Sequence, residues 1–144
     1  MKTASEYKES LRSRNMKVYL KGELLDSRTL IDHPFIRGHV NSAAMTYAMA
    51  QNPLYEDLMT VKSHLTGKKI NRFTHIHQST ADLIKKVKML RMISLNTGTC
   101  YQRCVGFDAV NAAYTVTYEM DKKLGTNYHE RLVTFLKYWQ ENDL

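Results

Sequence analysis

The sequence predicts a mainly α fold: a helical bundle with a possible short β-hairpin near the N-terminus. Three observations predict it. Apolar residues recur three and four positions apart along most of the chain, the period that lines one side of a helix. Only six Gly and two Pro occur in 144 residues, too few for the many tight turns of a sandwich. Short polar breaks such as Asn96-Thr97-Gly98-Thr99 separate the periodic stretches, as helix ends do.

Residues 4–14 read as a short helix with Tyr7 and Leu11 on one side. In residues 16–25 Val18 and Leu20 alternate with lysines and Lys21-Gly22 can turn, which predicts the hairpin. Asp32-His33-Pro34 marks a loop, because a residue before proline is driven out of the helical region. A second helix is expected from Asn41, with Met45, Ala48 and Met49 apolar and Pro53 closing it. Residues 54–78 suggest one helical turn near residues 55–59, then a loop holding Gly67 and Asn71-Arg72-Phe73-Thr74-His75-Ile76-His77. Ser79, three before Asp82, has the form of a helix start, and that helix should run to about Leu95 with Leu83, Ile84, Val87 and Leu90 as its apolar stripe. A long helix over residues 99–123 would place Phe107, Val110, Tyr114 and Thr117 together, and Gly125 would end it. A last helix from near Asn127 should bury Leu132, Phe135, Leu136 and Trp139.

At this length one domain is expected, able to take about two-thirds of its surface out of water without staples. Hydrophobic residues at 43% and charged residues at 24% match ordinary globular usage and argue against disorder. No leader-like apolar segment opens the chain, and no apolar run approaches the roughly 18 residues of a membrane span. A cytoplasmic location is therefore expected, where two cysteines are thiols, metal ligands or redox groups before they are disulfides. The net charge of +7 is spread out, with Lys68-Lys69, Lys85-Lys86-Lys88 and Lys122-Lys123 as the clusters. These read mainly as solvated helix faces, or else as a surface for phosphate-bearing ligands.

The stretch with most chemistry is Gly98-Thr99-Cys100-Tyr101-Gln102-Arg103-Cys104-Val105-Gly106, which holds both cysteines of the protein, four apart. On a helix, residues four apart share a side with Cβ atoms about 5–6 Å from each other. Such a pair suits two corners of an iron–sulfur cluster or two of four zinc ligands, and equally two small buried thiols in a helical core. Arg103 would point elsewhere, free for a charged partner, while Asp108 and Asn111 continue the cysteine-bearing side. His75-Ile76-His77 could hold a metal but reads better as hydrogen-bonded loop; His33, His39, His64 and His129 are isolated. No G-x-G-x-x-G and no P-loop occurs.

Several segments carry a resemblance: Asp32-His33-Pro34, Ala44-Met45-Thr46-Tyr47, Tyr55-Glu56-Asp57-Leu58-Met59-Thr60, Ile70-Asn71-Arg72-Phe73 with His77-Gln78-Ser79-Thr80, and Cys104-Val105-Gly106-Phe107-Asp108-Ala109. Over essentially all 144 residues the chain resembles the N-terminal domain of the 4-hydroxybutyryl-CoA dehydratases, also called vinylacetyl-CoA isomerases. They are a branch of the 4-hydroxyphenylacetate 3-hydroxylase family, which shares the acyl-CoA dehydrogenase-like fold. The resemblance implies that residues 1–144 are one helical domain of an enzyme roughly three times longer. It implies FAD and a [4Fe–4S] cluster in that enzyme, an acyl-CoA substrate, a homotetramer, and no nucleic-acid or membrane partner. Cys100 and Cys104 would be two cluster ligands, with a histidine and a third cysteine coming from outside this chain. Gln102 would face the substrate pocket, while the flavin site would be built elsewhere. Alone, the piece should be inactive, hold neither cofactor, and expose apolar surface that the rest of the enzyme would cover. Two other readings stay open: a flavin-dependent hydroxylase of the same family, and a basic helical binding module.

Overall fold

The computed structural model describes residues 1–26, 28–101 and 103–144. Among them run six α-helices and two small antiparallel hairpins. Helix α1 (Ala4–Arg12) starts on a reciprocal cap between Thr3 and Glu6. Strands β1 (Val18–Leu20) and β2 (Glu23–Leu25) pair Val18 with Leu25 and Leu20 with Glu23. Both turn residues, Lys21 and Gly22, have positive φ, the backbone that a two-residue hairpin turn demands. The expected first helix and hairpin are therefore present.

Helix α2 (Arg37–Gln51) begins four residues earlier than the sequence suggests, because the chain re-enters a helix directly after the Pro34 loop. It buries Ala43, Ala44, Tyr47 and Ala50 beside Met49, and leaves Met45 and Ala48 outside. The Tyr47 ring stacks on Tyr7 with centroids 4.7 Å apart, which docks α1. A 3-10 turn at Pro53–Tyr55 leads into the short α3 (Glu56–Met59).

Residues expected as plain loop form a second hairpin, β3 (Thr60–Lys62) with β4 (Lys69–Asn71). Three-residue strands joined by a six-residue turn show no measurable period in sequence. The turn is held instead by the Ser63 hydroxyl, which accepts the N–H groups of Leu65 and Thr66.

Helix α4 (Thr80–Thr97) starts on Ser79, whose hydroxyl accepts the Asp82 N–H at 3.2 Å, and stops at Gly98 with φ 62°. Its facing reverses the expectation. Met89 and Ile93 are buried, whereas Leu83, Ile84 and Val87 are exposed. Three of the four stripe residues read from sequence thus lie on the outer surface, Leu90 alone packs half-buried against the core, and the buried side packs on α3 and α2. Lysines of the outer clusters find acids across the surface: Lys85 meets Asp57, Lys86 meets Asp108, Lys69 meets Glu56, and Lys68 reaches Glu141 at 2.7 Å.

Helix α5 (Cys104–Leu124) ends at Gly125 in left-handed backbone, and α6 (Tyr128–Asn142) packs back along it. In α6 Leu136 is fully buried, Leu132 and Trp139 are half-buried, and Phe135 is exposed, contrary to its expected place in the core. The core gathers Met49, Ala50, Met59, Phe73, Met89, Ile93, Tyr101 and Phe107, so α2, α3, α4 and α5 meet in one cluster with the turn at Phe73 and the connection at Tyr101. No described helix is long and apolar enough to cross a membrane.

Candidate metal centre

The cysteine-bearing segment connects α4 to α5. A helix from residue 99 was expected, but α5 begins at Cys104, and Cys100 lies in non-helical backbone after Gly98. The reason is a pair of inward anchors two residues apart. Tyr101 is buried with its ring 5.8 Å from that of Phe73, and Arg103 also turns inward. Residues i and i+2 point to nearly opposite sides of a helix but to the same side of an extended chain. Holding both anchors inward disfavours a helix that runs through Tyr101, and α5 takes up helical backbone only from its cap residue Arg103.

The two cysteines nevertheless meet one feature. Both line a surface hollow of about 450 Å³, together with Ser94, Gly98, Thr99 and Tyr101. Both are free thiols, Cys100 exposed and Cys104 half-buried against the core cluster. Cys104 occupies the first position of α5, whose opening N–H groups lack intrahelical partners and favour nearby negative charge. The pair is thus brought together by loop geometry rather than by a helical turn. Two thiolates leave a tetrahedral or cubane site half-filled. Among the described residues no group of three or more His, Cys, Asp and Glu side chains is placed to hold a metal ion. Gln102, expected at the substrate pocket, lies outside the described residues.

Arg103 is not free for an external partner, as the sequence suggested. Its guanidinium donates to Thr46 Oγ1 at 3.1 Å and to Asp143 Oδ1 at 3.2 Å, and it lies over the rings of Tyr47 and Phe73. The spacing of Arg103 in sequence could not reveal this, because its partners come from α2 and the end of α6. Asp108 pairs with Lys86 rather than extending a ligand set. Asn111 is structural: its Oδ1 accepts the His77 N–H at 2.8 Å and its amide donates to the His75 carbonyl at 3.1 Å.

The histidines also differ from expectation. His75 is a loop residue hydrogen-bonded through its backbone, as expected, but its ring is buried and neither ring nitrogen has a hydrogen-bond partner. Its Nε2 stands 3.3 Å from Asp82 Oδ2, close but not aligned for a hydrogen bond. Burial pushes the His75 imidazole below its ordinary pKa, only partly opposed by Asp82. Burial likewise lowers half-buried His77, with Lys86 adding to the effect, while His64, though exposed, is lowered by partial desolvation. His129 is not isolated: its Nδ1 meets Thr117 Oγ1 at 3.1 Å, and Tyr114 and Tyr118 flank its ring. Sequence reading also passed over Arg72, a buried cation that donates to the carbonyls of Asp57, Leu58 and Thr60 and faces Asp82 at 3.5 Å. An arginine within an apolar-flanked Asn-Arg-Phe was the available signal.

Comparisons with known proteins agree with one another. The family described as 4-hydroxyphenylacetate 3-hydroxylase N terminal matches residues 3–144. The chain is 56% identical over 142 residues to 4-hydroxybutyryl-CoA dehydratase/vinylacetyl-CoA-Δ-isomerase of Clostridium aminobutyricum, covering 99% of this chain and 29% of that protein. Among solved structures, an oxygen-tolerant archaeal 4-hydroxybutyryl-CoA dehydratase from N. maritimus superposes with a TM-score of 0.93 at 46% identity, over 99% of this chain and 28% of that one. The oxygenase component of 4-hydroxyphenylacetate 3-monooxygenase, complexed with FAD, superposes with a TM-score of 0.70 at 20% identity, over 100% and 29%, a likeness of fold. The chain spans less than a third of the length of each of these relatives.

Proposed function

The chain belongs to the 4-hydroxyphenylacetate 3-hydroxylase family, and from that premise we propose that it forms the N-terminal helical domain of a longer flavin and [4Fe–4S] enzyme. That enzyme dehydrates 4-hydroxybutyryl-CoA to crotonyl-CoA and isomerises vinylacetyl-CoA to the same product. Identities of 56% and 46% to the dehydratases, against 20% to the FAD-bound hydroxylase, favour this branch. The substrate is an acyl-CoA, the cofactors are FAD and the cluster, and the assembled enzyme is a cytoplasmic homotetramer.

The observation that carries the proposal is the shared hollow of Cys100 and Cys104. The donor chemistry fits a cluster: two thiols, neither in a disulfide, reachable from outside, and fixed from behind by Tyr101 and Arg103. In this reading Cys100 and Cys104 hold two corners, and the remaining ligands come from residues outside this chain. When bound, such a cluster supplies Lewis acidity toward an oxygen leaving group. This chain's own contribution is to hold the thiols on a loop whose inner residues are locked into the core. Gln102, beside them in sequence, would face the substrate.

The test is to express the complete reading frame without oxygen and to measure iron, sulfide and flavin in the wild type and in Cys104→Ala. Loss of cluster iron with flavin retained is expected. Unchanged iron in the variant overturns the ligand assignment. A yellow, iron-free wild type would move the protein to the hydroxylase chemistry of its family.

A further inference from the structure

The loop carrying the two thiols is tied down by a residue 40 positions away in sequence. Asp143 is almost fully buried, and its two oxygens have separate tasks: Oδ1 accepts from Arg103 at 3.2 Å, and Oδ2 accepts the Lys2 backbone N–H at 3.0 Å. Its carbonyl accepts the Tyr47 hydroxyl at 3.4 Å. Asp143 adopts left-handed backbone with φ 46°, uncommon outside glycine though tolerated by Asp. The other hydrogen bond of Arg103 goes to Thr46 Oγ1, a fully buried hydroxyl that itself donates to the Ala43 carbonyl.

A buried ion pair adds little net stability over an apolar replacement, because desolvation consumes its Coulombic gain; its better-attested use is to fix register. Here the register in question is that of residues 100–104. Tyr101 and Arg103 are both held inward, and their sequence neighbours Cys100 and Cys104 line the hollow. If the pair is absent, Arg103 no longer has a reason to stay inside, and the segment after Gly98 loses one of two anchors. Metal affinity depends on such supporting contacts, since ligands that must be ordered at the moment of binding cost entropy.

We propose that Asp143, acting through Arg103, is a positioning residue that presets Cys100 and Cys104 as a two-thiolate clamp for metal. The inference rests on the reading of these cysteines as metal ligands. It assigns no contact between Asp143 and the metal itself.

The experiment uses the complete protein, reduced, freed of metal and handled without oxygen. Cadmium ion alone is titrated into the wild type, Cys100→Ala, Asp143→Asn and Thr46→Val, with the thiolate-to-cadmium absorption as signal. Backbone hydrogen exchange over residues 99–105 is followed in the same proteins. Cys100→Ala should lose part of the absorption, which isolates the contribution of this pair. Asp143→Asn should weaken the Cys100-dependent cadmium binding by about ten- to a hundredfold, the range for losing a supporting contact. It should also speed exchange over residues 99–105 while the helical circular dichroism stays unchanged. Thr46→Val, which keeps the ion pair, should shift both readouts the same way by less; it decides the matter if Asp143→Asn does not fold. A folded Asp143→Asn protein with lowered thermal stability but unchanged cadmium affinity and unchanged local exchange overturns the proposal. A wild type with no cadmium–thiolate absorption defeats the ligand reading separately, and hydrogen exchange then decides whether the pair holds the loop.

Discussion

The Ser63 hydroxyl donates to Gln140 Oε1 at 2.6 Å, joining the β3–β4 turn to the last helix across 77 residues, with both side chains buried. Gln140 also donates to the Thr74 carbonyl at 2.7 Å, so one amide satisfies a hydroxyl and a backbone acceptor from two neighbouring segments. The second hairpin has only three-residue strands, and this buried amide fastens it to α6 together with the exposed Lys68–Glu141 pair.

Gln140→Leu should therefore destabilise the protein by about 2–6 kcal/mol, because two buried groups each lose a partner at roughly 1–3 kcal/mol. Ser63→Ala should cost at least as much, since it takes the donor from Gln140 Oε1 and also the acceptor from the Leu65 and Thr66 N–H groups. The urea midpoint of each variant measures this, and a Gln140→Leu protein within about 0.5 kcal/mol of the wild type, as for an ordinary surface change, would count against the shared-amide account.

The facing of α4 gives a second prediction. Met89 has 0% exposure and Val87 45%. Truncating Met89 to Ala should cost about 2–5 kcal/mol, as for other buried large-to-small changes. Val87→Ala should stay within about 0.5 kcal/mol, as surface substitutions do. The opposite order would restore the facing that the sequence pattern suggests.

What could be read from the chain was what neighbours in sequence decide. The Lys21-Gly22 turn, the Ser79 start and the Gly125 stop depend on residues two to four apart, and each is where it was expected, while α4 runs two residues past the expected Leu95 before stopping at Gly98. The facing of α4 was not legible, because the outer stripe Leu83, Ile84 and Val87 is as apolar as the inner pair Met89 and Ile93. Periodicity names an apolar side without saying which of two sides the rest of this chain will cover. The candidate site was half legible. The two cysteines stood out by type and spacing, but the break in helix before Cys104 depends on Phe73, Thr46 and Asp143, all distant in sequence. Buried His75 and Arg72 were missed for the same reason: their surroundings are assembled by tertiary packing.

The Ser79 cap can be tested alone. Its hydroxyl accepts the Asp82 N–H at the start of an 18-residue helix, and Asp82 in turn accepts the Gln78 N–H at 2.9 Å. Ser79→Ala should cost about 1 kcal/mol, while Ser79→Asp should be close to neutral because Asp caps as well as Ser. Thermal unfolding of the two variants side by side reads the difference, and a loss in Ser79→Asp as large as in Ser79→Ala would mean the cap is not what Ser79 contributes.

Acidification should weaken the fold through its histidines. Desolvation lowers the pKa of His64, His75 and His77 below the ordinary 6.5, with Asp82 opposing the shift at His75 and Lys86 reinforcing it at His77. In the unfolded chain these rings regain ordinary basicity, so between the two values the unfolded state binds more protons than the folded one. Stability must then rise with pH across that window. The contribution is complete above about pH 6.5, the unfolded value, and is lost as pH falls through the lower folded values. Asp82 acts in the same direction at a lower pH: burial alone would raise its pKa, but the Gln78 N–H, His75 and Ser79 more than offset this. Its stabilisation is lost only as pH drops below the usual carboxylate range. The urea midpoint should therefore fall between about pH 7.5 and pH 5, before carboxylates titrate. His75→Leu removes the most buried of the three rings, whose nitrogens have no hydrogen bonds to lose, and should flatten that decline. An equally steep decline in His75→Leu would assign the acid sensitivity to other groups.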